Sequence, residues 1–202
     1  MDLFLKYFLD IVLKNEFERK IEKCKKWGGN IRLYTFFEKY NISLDNEINN
    51  IINDINNLSD TIKIYRTTNI KDSNVKVFLS SRDTFKKHIS RENWKYLNDN
   101  YGFGRIFYNN NFIISQALVY VDIYKTDNLD CQKHLLREEI TQILGMPNDI
   151  NLKKSIFNKD WECITQYSKF DTMIIKLFLS DKIQAGMDKK EIIEVYNSIN
   201  NL

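Results

Sequence analysis

The stretch from Glu138 to Asn148 constrains the fold more than any other part of this 202-residue chain. The sequence pattern predicts a helix that runs beyond Gln142, and Gly145 with Pro147 just after it is the usual end of a helix. Glu138 and Gln142 are four residues apart, so their side chains lie one turn apart on the same helical face. The sequence therefore predicts a long helix with a polar face that a glycine ends sharply.

The same eleven residues have the spacing of the zinc-protease motif H-E-x-x-H-x-x-G-x-x-H. In that motif, two side chains one turn apart hold one zinc ion, and the glutamate after the first ligand activates the metal-bound water. The glutamate and the glycine are present as Glu139 and Gly145, but the ligand positions carry Glu138, Gln142 and Asn148. Amide oxygens are poor zinc ligands and bind hard ions such as calcium only weakly. We therefore expect neither a catalytic metal nor another cofactor.

Two stretches of the sequence resemble a known bacterial family. Glu-Glu-x-x-Gln-x-x-Gly-x-x-Asn-Asp (Glu138 to Asp149), followed by Ser-Ile-Phe-Asn (Ser155 to Asn158), resembles the family called domain of unknown function 2927, which is similar to the metzincin-like branch of the zincin metalloproteases. The segment from Glu138 to Asn158 is the specific part of this resemblance. Supporting matches occur over most of the chain, at Trp27, Asp171, Met173 and the run Ala185-Gly186-Met187.

The resemblance implies a zincin-like α+β fold, in which the helix packs against a twisted mixed sheet. An edge strand, Arg105 to Tyr108, then flanks a substrate cleft and can pair with an extended polypeptide. In this fold Met173 takes the place of the methionine turn below a metzincin site. The residues that the resemblance places in or near the cleft are Glu138, Glu139, Gln142, Gly145, Asn148, Asp149 and Met173.

Four interpretations of this helix remain open, and two of them concern function directly. In the first, its polar side chains form a buried hydrogen-bond network, so that the cleft binds a polypeptide or another ligand without cutting it. In the second, Glu139 serves as general base in an unconventional hydrolysis, with Glu138 as the acid. Adjacent helical residues point about 100° apart, so the two carboxylates do not converge on one atom. We therefore expect a degenerate metalloprotease-like binding protein, with a peptidase-like hydrolase as the alternative.

The other two interpretations assign the helix a different role. One is a relocated metal site of Cys131, His134 and Glu138, which fall at positions i, i+3 and i+7 of one helical face. In the other, both glutamates face solvent and pair with Arg137 and Lys133, and the glycine is only a helix C-cap. All four interpretations concern the role of this helix.

The remaining elements predict a single domain with an α+β order. Alternation and β-branched residues predict strands at Ile31–Phe36, Thr61–Arg66, Val75–Ser80, Arg105–Tyr108 and Phe112–Ile123. Helical spacing predicts helices at Met1–Leu13, Leu44–Leu58 with Ser43 as N-cap, Arg82–Asn98, Asp130–Leu144, Asp171–Leu179 and Asp188–Ile199. Tyr101 to Gly104 is expected to be a loop. We assign residues 1–26 to an N-terminal amphipathic helix and residues 27–202 to a single zincin-like domain.

Charge and hydropathy limit the partners of the chain. It has 30 basic and 27 acidic side chains, a net charge of +3, and no basic cluster typical of a nucleic-acid site. The first helix carries Asp2, Lys6 and Asp10, so it lacks the apolar core of a signal peptide and is too short to cross a bilayer. The resemblance nevertheless suggests export, and the sequence leaves the compartment open.

Three cysteines are too few for a disulfide framework, and their odd number leaves at least one thiol free. Cys131 and Cys163 can form a bridge in an exported protein. Spacing alone does not distinguish such a bridge from two separate thiols.

Overall fold

The computed structural model of the chain describes residues 2–14, 22–97, 100–160 and 162–200. These residues form a six-stranded sheet with helices packed against it, which confirms the α+β class. The helices are α1 (Leu3–Leu13), α2 (Ile42–Leu58), α3 (Arg82–Phe85), α4 (Leu129–Gln142), α5 (Lys169–Phe178) and α6 (Lys189–Asn200). The strands are β1 (Lys26–Trp27), β2 (Ile31–Phe37), β3 (Ile64–Arg66), β4 (Val75–Ser80), β5 (Gly102–Tyr108) and β6 (Ile113–Asp122).

Most of the sheet is parallel. Strands β3, β2, β4 and β6 lie side by side in that order and run in the same direction. The short strand β1 pairs with the start of β6, where Lys26 lies opposite Ile113. Strand β5 runs antiparallel along the other side of β6, from Gly102 opposite Val121 to Tyr108 opposite Ile114. The sheet is therefore bordered by β3 on one side and by β5 on the other.

Both faces of the sheet are covered. Side chains alternate along a strand, so Val119 and Val121 of β6 join the main core with the helices, while Tyr120 points to the opposite face. On that opposite face a smaller aromatic cluster packs under the residues that follow β4. Its buried members are Phe78, Phe85, Leu97, Phe103 and Tyr120. Because Phe103 belongs to this cluster, Gly102 and Gly104 must face the helical side of the sheet.

Most of the predicted elements are confirmed within one to three residues. Strand β4 has the predicted bounds, and β2, β6, α5 and α6 match the predicted elements closely. The prediction that Ser43 is the N-cap of α2 is wrong. Asn41 is the N-cap, because its side chain accepts hydrogen bonds from the backbone N–H groups of Ser43 and Leu44. The predicted helix from Arg82 onward divides into α3 and two 3-10 turns, Lys86–His88 and Arg91–Leu97. Its predicted end at Asn98 lies outside the described residues.

One further prediction is wrong. Tyr101 to Gly104 is not a loop, because β5 begins at Gly102. The predicted N-terminal helix, in contrast, is confirmed, since α1 ends at Leu13 as expected. Of the described residues between it and β1, residues 22–25 have no regular structure. Helix α1 packs on the rest of the chain, with Phe4 in contact with Phe170 of α5. None of the helices in the described ranges is long and apolar enough to span a membrane.

A disulfide bond joins Cys131, in the first turn of α4, to Cys163. Cys131 and Cys163 are therefore bridged and are not two separate thiols. Cys24 is a buried free thiol, and burial raises its pKa to about 12. The bridge fixes the start of α4 to the segment that leads into α5.

We expect loss of this disulfide to lower the free energy of unfolding by about 3 kcal/mol, because the crosslink restricts the unfolded chain. Urea denaturation with and without dithiothreitol measures the effect. The double variant C131S/C163S serves as control, since its stability should be lower and should not respond to the reductant. Equal stability of the wild type in both conditions would contradict the prediction.

Candidate functional site

Helix α4 packs against β5 and β6 of the sheet and against α2. Ten of its fourteen residues are buried. They include both glutamates, with only 9% of Glu138 and 7% of Glu139 exposed. The prediction that these two residues face solvent is therefore wrong.

The basic residues of α4 have partners of their own. Arg137 binds Glu47 of α2 at 2.6 Å and Asp54 of α2 at 2.6 Å, while Lys133 lies 3.8 Å from Asp130. The guanidinium of Arg137 thus ties α4 to α2. This pairing across 90 residues of sequence is different from the local pairing that the solvent-facing interpretation predicts.

The carboxylate of Glu139 lies directly beneath β5. A β-carbon added at Gly102 would overlap Oε1 of Glu139, and one added at Gly104 would lie 2.8 Å from Oε2. The two glycines therefore leave room for the carboxylate under the strand. Sequence reasoning missed this role, although two glycines at positions i and i+2 of an extended segment are a known sign of close approach.

Glu138 faces a buried histidine on its own helix. Oε2 of Glu138 lies 3.5 Å from Nε2 of His134, and Nδ1 of His134 lies 2.9 Å from the carbonyl oxygen of Ile164. Because a carbonyl oxygen only accepts, Nδ1 carries a proton and Nε2 faces the carboxyl group. Burial lowers the pKa of His134. Burial therefore favours the neutral ring, with Nε2 directed towards Glu138.

The relocated metal site is wrong. The sulfur of Cys131 is bonded to Cys163 and cannot act as a thiolate ligand beside His134 and Glu138. Over the described ranges, no group of three or more His, Cys, Asp or Glu side chains is arranged to hold a metal ion.

The end of α4 brings three of the predicted site residues together. Gly145 has φ +119°, and a β-carbon there would overlap the carbonyl oxygen of Lys25, so only glycine fits this turn. Across this turn, Nε2 of Gln142 donates to Oδ1 of Asp149 at 2.8 Å. Nδ2 of Asn148 donates to the carbonyl oxygen of Asp149 at 2.9 Å. The chain therefore returns to the helix face, but Asp149 makes the contact with Gln142, and Asn148, at the third ligand position of the motif, does not.

Met173 does not fit the predicted methionine turn. It lies within α5, and 54% of its surface is exposed. Ile174, Ile175 and Phe178 form the buried face of this helix, so the helical period places Met173 on the outer side. The predicted site therefore lacks the methionine that the resemblance places below it.

A cleft of about 330 Å³ runs along the outer edge of β5. The end of α4 forms one wall, through Gln142 and Ile143, and the 3-10 turn Arg91–Leu97 contributes to the other. The residues that line it are Asn93, Tyr96, Phe103, Gly104, Arg105, Ile106, Phe107, Tyr108, Gln142, Ile143 and Pro147. Gln142 is thus the predicted site residue that reaches this cleft, whereas Glu139 lies under the strand.

The edge of β5 offers backbone hydrogen-bonding groups to this cleft. The N–H of Asp122 donates to the carbonyl oxygen of Tyr101 at 2.8 Å, so Tyr101 directs its backbone groups towards β6. In an antiparallel pair, alternate residues direct both backbone groups to the partner, and those between direct them away. The N–H and C=O of Gly102, Gly104 and Ile106 therefore point away from β6. Within the described residues, no strand pairs with this edge.

The Ser-Ile-Phe-Asn segment of the resemblance has a structural role. The buried carboxylate of Asp171 accepts hydrogen bonds from Oγ of Ser155 at 2.5 Å, the N–H of Ile156 at 3.2 Å and the N–H of Ser168 at 2.8 Å. These bonds fasten the segment after α4 to the start of α5. Trp161, which follows this segment, lies outside the described residues.

Comparison with known proteins identifies one family. A family model described as a protein of unknown function (DUF2927) matches residues 3–198. The match includes α1, which lies upstream of the stretch that carries the sequence resemblance. A search of curated proteins returned no match to the chain.

Proposed function

The chain belongs to the DUF2927 family, whose description assigns no activity, and from this premise we propose that it is a degenerate metalloprotease-like protein that binds an extended polypeptide along β5. The observation that carries the proposal is the open edge of β5 above the cleft. An edge strand with outward N–H and C=O groups is a template for an added strand. The side-chain pockets beside it would supply specificity.

The arrangement around α4 supports a zincin-like interpretation. An antiparallel strand at the border of a mostly parallel sheet lies next to the Glu-Glu-x-x-Gln helix, as the resemblance implies. A zincin of this kind would carry zinc on the three ligand positions. The donor set here does not fit that ion, because Glu138, Gln142 and Asn148 provide no imidazole or thiolate. In addition, the amide of Gln142 donates to Asp149.

The position of Glu139 favours binding over hydrolysis. Its carboxylate occupies the space left by Gly102 and Gly104 beneath the strand, and it does not line the cleft. A general base must come within hydrogen-bond reach of the water it activates. In the proposed function Glu139 instead holds the edge strand at its distance from α4.

The charge of the cleft favours a partner with an acidic side chain. Of the described residues that line it, Arg105 is the one with a charged side chain, and its guanidinium lies 5.2 Å from the ring centre of Phe107. A segment with a carboxylate and apolar neighbours is therefore the expected partner. Guanidinium groups bind carboxylates through paired hydrogen bonds.

We expect selection of random 12-residue peptides on the immobilised protein to yield extended segments that carry Asp or Glu. Ile106→Pro removes one outward N–H without touching the ladder to β6, since proline is tolerated at an outward edge position. It should weaken binding of the selected peptide about tenfold or more, by loss of a hydrogen bond and by the bulk of the ring. Isothermal titration calorimetry measures the change.

Ile106→Ala is the matched control, because it truncates the same side chain but keeps the N–H. Equal loss of binding in both variants would contradict pairing along the edge. Mass spectrometry of the peptide after incubation tests the hydrolase alternative. A cleavage that Glu139→Gln abolishes would overturn the non-catalytic proposal.

A further inference from the structure

A second and larger cavity, of about 650 Å³, lies between α2, α4 and the segment from Thr165 to Thr172. It shares no lining residue with the cleft along β5. Arg137 lines it from α4, and Arg137 projects about 200° away from Glu139 around the helix axis. The cavity is therefore a separate site.

The floor of this cavity is a rigid ionic network. Arg137 donates through Nε and one terminal nitrogen to Oε1 of Glu47, and through the other terminal nitrogen to Oδ2 of Asp54. Its guanidinium also lies 4.6 Å from the ring centre of Tyr167, whose hydroxyl is 2.7 Å from Oγ1 of Thr141. Side chains held in this way keep one geometry before a ligand arrives.

Apart from Leu58 and Lys133, the rim of the cavity consists of uncharged polar side chains. Asn50 donates to Glu47 at 3.3 Å, and Thr172 donates to the carbonyl oxygen of Ser168. The others make no side-chain hydrogen bond inside the part of the chain that the structure describes: Asn53, Asn57, Thr165 and Gln166. Their amide and hydroxyl groups are available to a ligand.

The chemistry of floor and rim selects the class of ligand. The charged residues that line the cavity, Glu47, Asp54, Lys133 and Arg137, are two acids and two bases, so the site favours neither an anion nor a cation. Amides and hydroxyls both donate and accept hydrogen bonds, as sugar hydroxyls do. The volume lies within the range of small-molecule sites. We propose that this cavity binds a neutral oligosaccharide.

The first test is binding of the labelled full chain to an array of neutral and acidic glycans. We expect neutral glycans to bind, and saturation-transfer NMR with the strongest of them should show transfer to its ring protons. The variant N53A/N57A should weaken this binding about tenfold or more, since it removes two amides from the rim. Both residues are exposed, so the variant should keep the wild-type melting temperature.

Asn46→Ala is the matched control, because Asn46 is an exposed asparagine of α2 outside the cavity, and its glycan binding should be unchanged. Ile106→Pro should also bind the glycan normally, which separates this site from the polypeptide cleft. Absence of neutral glycan binding on the array, or equal binding by wild type and N53A/N57A, would overturn the proposal. Binding confined to acidic glycans would overturn it as well.

Discussion

Replacing Asp171 with alanine is expected to lower the free energy of unfolding by about 5 kcal/mol. The residue is completely buried, and its carboxylate accepts hydrogen bonds from Ser155, Ile156 and Ser168. A hydrogen bond to a charged group contributes roughly 1.5–3 kcal/mol, and buried donors that lose their acceptor are costly. The substitution also removes a capping box, in which Asp171 and Ser168 satisfy each other's backbone N–H at the start of α5.

Urea denaturation followed by circular dichroism measures this loss. Ser155→Ala removes one of the three donors and should cost about 2 kcal/mol, so the two variants form a graded pair. Asp181→Ala is the exposed control, with 74% of its side chain accessible, and its stability should be close to that of the wild type. A loss below about 1 kcal/mol for Asp171→Ala would show that the three bonds do not hold this region together.

The elements that sequence predicts well are those with a local cause. Strand β4 is a run of β-branched and apolar residues, and the end of α4 follows from Gly145 and Pro147 nearby. The return of the chain towards Gln142 also depends on a turn of a few residues, although Asp149 and not the expected Asn148 makes the contact. Such features are set within one or two turns of chain, so their pattern is visible in the sequence.

The features that sequence does not predict depend on distant residues. Gly102 and Gly104 resemble a loop because glycine normally weakens strands. The structure shows that they make room for the carboxylate of Glu139, which follows Gly104 by 35 residues and Gly102 by 37. The partner of Arg137 is Glu47, on a helix whose packing against α4 is not written in either segment. The outward position of Met173 is different, since the spacing of Ile174, Ile175 and Phe178 already indicates which side of α5 is buried.

The candidate site was therefore placed on the correct helix but only partly on the correct face. The side chains of α4 point in three directions. Arg137 points towards α2, Glu139 lies under β5, and Gln142 lines the cleft. The two glutamates of the motif belong to the interior, where a carboxyl group needs partners. The polar side chains that reach a ligand in our proposals come from β5, from the end of α4, from α2 and from the segment before α5.

Replacing Arg137 with leucine is the second substitution with a large expected effect, a loss of about 3–5 kcal/mol. Arg137 and Glu47 have only 2% and 6% of their side chains exposed. Removing one partner leaves the other charge buried, and this is more costly than the pair itself is stabilising. Asp54 contributes less, because 46% of its side chain is exposed and water can replace the arginine.

The double variant E47L/R137L tests this explanation. If the cost comes from the uncompensated carboxylate, the second substitution should recover most of the lost stability, since apolar side chains of similar volume can replace a buried ion pair at little cost. A double-mutant cycle in urea, at constant pH and salt, gives the coupling between the two positions. Additive losses would contradict the prediction, because they would mean that the two residues stabilise α2 and α4 independently of each other. A strong coupling would instead establish that the contact between these helices, and with it the floor of the large cavity, depends on this pair.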